Sequence, residues 1–218
     1  MCDEENMQTL QRGMNFRLGR TYSVVLMSQR TNAPYVDSIQ ADGRILEYEG
    51  HDAPRTDETP NPKAIDQPRI TKTGQLTQNG LFANAVDVFK NVQAPAEMIK
   101  VYEKVFPGIW TFRGMFDLID YRIMRSDGRC VYRFILQLST NQGESDASSV
   151  LPVQRAIPSE IKQTVWKRDH GCCKICGAVD NLHFDHIIPY SKGGTSLSAE
   201  NVQILCARHN LQKSDKIE

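Results

Sequence analysis

The 218-residue chain balances 26 Lys and Arg against 26 Asp and Glu, and is 40% hydrophobic and 24% charged. These values describe an ordinary soluble globular protein long enough for two small domains, with no apolar run near the ~20 residues of a membrane span. Neutrality offers no global attraction to nucleic acid, although a local basic patch stays open. The N-terminus, MCDEENMQTLQRG, lacks the basic-then-apolar layout of a secretory signal, so a cytoplasmic location is expected. Thiols stay reduced there, and clustered cysteines point to metal more than to disulfide; four of the six cysteines lie between Cys172 and Cys206.

From Thr21 to about Leu138 the pattern is mostly strand with one helix. TYSVVLMS is rich in β-branched and aromatic residues, ADGR at Ala41 to Arg44 is a turn, and ILEYEG begins a second extended run, which together predict a hairpin. HDAPRTDETPNPKAIDQPR has no apolar period and reads as an exposed loop. In NGLFANAVDVFKN, Leu81, Phe82, Ala85, Val88 and Phe89 recur at the spacing of a short amphipathic helix. WTFRGMFDLIDYRIM and CVYRFILQL flank RSDGR, whose Asp-Gly pair signals a hairpin, with Tyr132, Phe134, Leu136 and Leu138 on one face expected to be core. STNQGESDASS is nearly free of apolar residues and reads as a linker. The expected organisation is a domain over 1–138, a linker over 139–156 and a second domain over 157–218.

IPSEIKQTVWKRDHG predicts a helix capped by Ser159, with Ile161, Val165 and Trp166 on its buried side and Gly171 ending it. Beyond it Cys173 and Cys176 form a CxxC, and Cys206 and His209 form a CxxH. Two such pairs, each able to turn two soft ligands toward one point, are the sequence form of a four-coordinate structural zinc site. The alternative is two unrelated thiol pairs. A module of about sixty residues is small for its own core and gains from a metal staple. Cys172 lacks the spacing to join and reads as a bystander.

Between these pairs lies HFDHIIPYSKGGT, followed by NVQILCARHNLQKSDK. Asp185-His186, Asn201 and His209-Asn210 with Lys213 resemble the HNH nuclease motif in its variant with Asn in the last position, over Ile157 to the C-terminus. The resemblance implies a ββα-metal fold in which His186 is the general base, Asp185 and Asn210 hold a catalytic Mg²⁺ or Mn²⁺, and Asn201 braces the loop between the strands. The residue chemistry agrees: histidine titrates near neutral pH, and Asp with an Asn carbonyl offers hard oxygens to a cation that neutralises a phosphodiester under attack. Cys206 and His209 share a helix face, whereas Asn210, rotated by about 100°, can point at a different metal. Lys192 and Lys213 are candidates for DNA phosphates, with solvated lysines as the alternative. Neighbours on a strand face opposite ways, so Asp185 and His186 can meet at one phosphate only if the strand ends or bends there. His183 reads as an exposed strand histidine, with a further metal ligand as the alternative, and His51 and His170 as surface residues.

The first domain resembles the SRA or YDG domain, a sheet-rich PUA-like fold that flips a modified cytosine out of duplex DNA. The resemblance is carried by GRTYSVVLMS, NAPYVDSIQADGRILEYEG, LTQNGLFANAV, WTFRGMFDLIDYRI and GRCVYRFILQL; where the family reads Tyr-Asp-Gly, this chain has Phe112-Arg113-Gly114. It implies that Tyr35 and Tyr48 stack the flipped base, that Asp37 lies near the acidic reader, and that Glu49 bears on which modification is accepted. Ordinary strand aromatics are the alternative for both tyrosines.

The expected fold class is therefore α+β: an SRA/PUA-like sheet domain followed by a small zinc-stapled ββα-metal HNH domain. The expected function is a modification-dependent restriction endonuclease acting on double-stranded DNA with 5-methylcytosine or 5-hydroxymethylcytosine, as a homodimer because one such site cuts one strand. Two alternatives stand beside it: an HNH homing or phage-type nuclease that reads unmodified sequence, and a non-catalytic zinc-stapled DNA reader.

Overall fold

A computed structural model describes residues 10, 12–18, 21–30, 33–40, 43–92, 94–139 and 157–217. The chain divides into two units, Met1–Glu144 and Ser145–Glu218. The linker expected over 139–156 lies, apart from Ser139, outside the described residues, as do Ala41 and Asp42 of the expected ADGR turn. No helix among the described residues is long and apolar enough to cross a membrane.

The first unit is built on one sheet of β1 (Met14–Asn15), β2 (Ser23–Met27), β3 (Ser38–Ile39), β4 (Ile45–Glu49), β5 (Glu97–Phe106), β6 (Ile109–Ser126) and β7 (Arg129–Leu138). Their spatial order is β1-β2-β5-β6-β7-β4-β3. Only the β2 to β5 pairing is parallel. The expected hairpin between TYSVVLMS and ILEYEG does not form: β2 and β4 lie in different parts of the sheet, and β4 pairs with the two-residue β3 and with β7. The reason is burial. Every residue of β2 is buried, so it takes an inner position covered on both faces, as parallel pairings require.

The Asp127-Gly128 hairpin forms as expected, with both residues left-handed at φ 50° and 82° and Ser126 paired to Arg129, the geometry of a type I′ turn. Tyr132, Phe134 and Leu136 of β7 enter the core with Leu138 packed against it. The helix α1 (Gln78–Val92) closes this face through Phe82, Ala83 and Val86, whereas Val88 is 40% exposed. Its buried stripe is thus rotated from the one the spacing suggested. Phe112-Arg113-Gly114 sits at a β-bulge, where Val101 pairs Gly114 and Tyr102 pairs Phe112. Gly114 has φ 143°, and Arg113 lies buried opposite Glu103, so the basic residue at the Tyr-Asp-Gly position is matched by an internal carboxylate.

In the second unit α2 (Ser159–Arg168) leads to β8 (Leu182–His186), a loop, β9 (Val202–Cys206) and α3 (Ala207–Lys213). Ser159 is the first helical residue; the flanking position is Pro158, which offers no side-chain acceptor. Gly171, left-handed at φ 61°, lies where a Cβ would meet the Trp166 ring at 2.6 Å. Ile157, Val165, Val202 and Ile204 form the core, with Ile161, Trp166, Leu182 and Phe184 against it. The architecture as a whole is mixed α+β.

Candidate active site

The residues from Cys173 to Lys213 build two centres on one β8-β9-α3 scaffold. At the first, Cys173, Cys176, Cys206 and His209 bring their ligand atoms within 4.8 Å of one another. Two sulfurs bound at about 2.3 Å to one tetrahedral ion stand roughly 3.7 Å apart. Cys176 Sγ and Cys206 Sγ are 3.9 Å apart, and Cys173 Sγ lies 3.5 Å from His209 Nδ1, so the donor set fits a soft ion such as zinc. Burial alone would raise the Cys173 thiol, but backbone amides of Cys206, Cys176 and Ile175 outweigh it and hold the group down to about 6; thiolate character suits metal ligation. Cys172 stands outside the cluster, donating to Asp169 O at 3.0 Å.

The second centre lies where β8 ends. β8 keeps regular register with β9 through Asp185↔Gln203 and His186↔Val202, so these two side chains alternate across the strand, and the chain leaves the strand at Ile187. The loop is then fixed by Asn201. Its Oδ1 accepts from Ile188 N at 2.8 Å, and its Nδ2 donates to Ile188 O at 3.1 Å and Thr195 O at 2.9 Å. Gly194 packs so tightly under this loop that a Cβ would stand 1.8 Å from Ile188 O. His186 Nε2 is 2.8 Å from the Oγ of Ser196, itself 1% exposed.

Asp185 Oδ2 is buried and accepts no directed hydrogen bond, although Lys213 Nζ stands 2.9 Å away. The ammonium aims instead at His186 O, 2.7 Å distant, so the pair is joined by charge without alignment. A buried carboxylate oxygen that accepts no hydrogen bond is the kind of donor a hard divalent cation satisfies. Asn210 is half-buried on α3, three residues before Lys213 and hence on the same helix face. The expectation that Lys213 meets DNA phosphates is corrected: its side chain is fully buried. Lys192 is exposed, as is His183.

In the first unit the four expected base-contacting residues fare unevenly. Tyr35 is half-buried, stacked on His51 at 4.8 Å with the rings 10° apart, and Lys63 Nζ lies 4.2 Å from its centroid. Tyr48 does not offer a stacking face: it is 1% exposed in the sheet core, with its hydroxyl donating to Leu26 O and 3.1 Å from His51 Nε2. Asp37 turns inward to accept from Ser28 N and Glu49 N, and burial pushes its carboxyl up to about 7. Glu49 accepts from Val36 N and faces Arg129 and Arg133. His51, expected at the surface, is half-buried between Tyr35 and Tyr48, and burial lowers it to about 4. The residues that sequence reasoning missed are Ser196 and Arg168. The latter forks onto Asp169 and donates to Ala199 O and Val202 O, tying α2 to β9. The adjacent Arg-Asp pair was visible in the sequence, but its carbonyl partners were not.

Residues 173–216 match the HNH endonuclease family model, so the second unit carries an HNH endonuclease domain. No curated protein matches the chain. Among solved structures it is similar to the SUVH5 SRA–hemi-methylated CG DNA complex, at 18% identity and TM-score 0.42 over 64% of this chain and 81% of that one. It is also similar to KRYPTONITE in complex with mCHG DNA and SAH, at 14% identity and TM-score 0.39 over 71% and 33%. A third is the Type IV phosphorothioation-dependent restriction endonuclease ScoMcrA, at 15% identity and TM-score 0.31 over 88% and 50%.

Proposed function

We propose that the chain is a modification-dependent DNA endonuclease whose second unit hydrolyses phosphodiester bonds and whose first unit binds duplex DNA carrying 5-methylcytosine or 5-hydroxymethylcytosine. The observation that carries the nuclease part is Asp185, placed at the end of β8 with a buried Oδ2 that accepts no hydrogen bond and is paired by charge with Lys213, inside the segment that matches the HNH endonuclease model. His186 takes the proton of the attacking water, and Ser196 holds its imidazole by Nε2. Asp185 and Asn210 would hold Mg²⁺ or Mn²⁺, which when bound neutralises charge on the phosphoryl oxygens. Cys173, Cys176, Cys206 and His209 hold zinc, and Asn201 keeps the loop in shape around His186.

The modified-base part rests on the sequence resemblance of the first unit, with half-buried Tyr35, stacked on His51 and overlaid by Lys63, the aromatic left to meet a base once Lys63 is displaced, and Lys192 a candidate phosphate contact on the second unit. A homodimer would supply the second cut of a double-strand break. The burial of Tyr48 favours one other reading, an HNH nuclease that reads unmodified sequence. The test of the nuclease part is nicking of supercoiled methylated plasmid by zinc-loaded protein with Mg²⁺ or Mn²⁺. Wild type should cut and His186→Ala should not; equal cutting by the two removes His186 from its role.

A further inference from the structure

Among the described residues, Lys213 has the only lysine side chain that is 0% exposed, and a fully buried lysine is uncommon unless something requires its charge. It stands in the last turn of α3, on a helix whose first turn carries the zinc-type ligand His209. From there its ammonium donates to His186 O at 2.7 Å and lies 2.9 Å from Asp185 Oδ2. One cation thereby touches both residues at the end of β8. The contact spans the gap between the helix that carries Asn210 and the strand that carries Asp185.

Resting on the nuclease reading above, we propose that Lys213 is a positioning residue that clamps the end of β8 onto α3, and that its ammonium sets how tightly Asp185 takes a divalent cation. The two effects oppose one another. By holding Asp185 and the His186 backbone against α3, the clamp keeps the reacting groups in register, and small displacements of such groups are costly in rate. By standing beside Asp185 Oδ2, the same positive charge repels an incoming cation through a poorly solvated space. A buried ion pair is retained here at the expense of metal affinity, because an unclamped carboxylate would hold metal and misplace it.

The opposition gives a signature that no simpler role shares. Lys213→Met keeps the length and apolar stem and removes the charge; Lys213→Arg keeps the charge. Mn²⁺ affinity is measured without DNA by calorimetry on zinc-loaded full-length protein, alongside zinc content, melting, DNA affinity and cleavage rate. Lys213→Met should bind Mn²⁺ about tenfold more tightly and cleave about tenfold or more slowly, with DNA affinity unchanged. Lys213→Arg should stay within about threefold of wild type in Mn²⁺ affinity, since the charge is retained.

Several results overturn the proposal. Mn²⁺ affinity that is unchanged or weaker in Lys213→Met does so, as does weakened DNA binding with a reduced salt slope, which marks a phosphate ligand. Loss of zinc or of cooperative melting in Lys213→Met assigns the residue to the core alone and overturns it too, as does a wild type that binds no Mn²⁺. A wild type that binds Mn²⁺ but cuts no DNA refutes the nuclease reading instead, while the affinity comparison still decides whether Lys213 sets metal binding.

Discussion

Replacing Asn201 by Asp should destabilise the second unit at least as much as replacing it by Ala, although Asp is the closer isostere. Asn201 is 9% exposed and makes three hydrogen bonds to the loop backbone, one as acceptor from Ile188 N and two as donor to Ile188 O and Thr195 O. At about 1 kcal/mol each, Asn201→Ala loses about 3 kcal/mol. Asn201→Asp keeps the bond from Ile188 N but sets a carboxylate oxygen against two carbonyl oxygens with little solvent to screen it. Two lost donors and a buried charge put the cost at about 3–5 kcal/mol. For a unit of this size each kcal/mol is about 4–8 °C in melting temperature, so the Ala variant should melt about 12–24 °C lower. The assay is calorimetry on zinc-loaded protein, with the transition of the second unit identified by zinc release. An Asp variant that melts above the Ala variant would refute the amide orientation and, with it, the bracing of the loop.

Three further outcomes follow from the geometry. Stripping metal from the cluster with a chelator, or Cys206→Ser, should unfold the second unit while the sheet signal of the first persists, because structural zinc contributes on the order of 10 kcal/mol to a module this small; circular dichroism with zinc analysis reads it, and a chelated chain that keeps both transitions contradicts it. Ser196→Ala should lower the cleavage rate about 10–100-fold without changing DNA affinity, since the His186 ring loses its Nε2 partner; an unchanged rate removes Ser196 from the site. Asp37, whose carboxyl is raised from 3.8 to about 7, contributes stability that is fully present below about pH 4 and is lost as pH rises through 7. Between pH 8 and pH 5 the first unit of wild type should therefore gain about 2–3 kcal/mol relative to Asp37→Asn. His51, lowered to about 4, pulls the other way in both proteins and cancels in the comparison; parallel stability profiles would show that Asp37 is not buried as described.

What was legible in the sequence was what local chemistry decides. The Asp127-Gly128 turn needs two left-handed residues in a row, and the Cys and His pairs are ligands whose spacing alone brings them together. What was not legible depends on partners far along the chain. β2 leaves its apparent hairpin partner for β5, with Val25 facing Val101, because only an interior position buries all five of its residues. Tyr48 looked like a ring awaiting a base, yet the sheet between β3 and β7 and the Leu26 carbonyl take it into the core. Lys213 looked like a surface cation, and only the fold, by ending β8 against α3, reveals the carboxylate waiting for it.

The measurement that tests the account most directly compares one plasmid in three forms, unmodified, 5-methylcytosine-containing and 5-hydroxymethylcytosine-containing, incubated with zinc-loaded protein and Mg²⁺ or Mn²⁺. Cleavage of at least one modified form, with the unmodified form intact and no cutting by His186→Ala, is the predicted result. Equal cutting of all three forms, or no cutting of any, would contradict it.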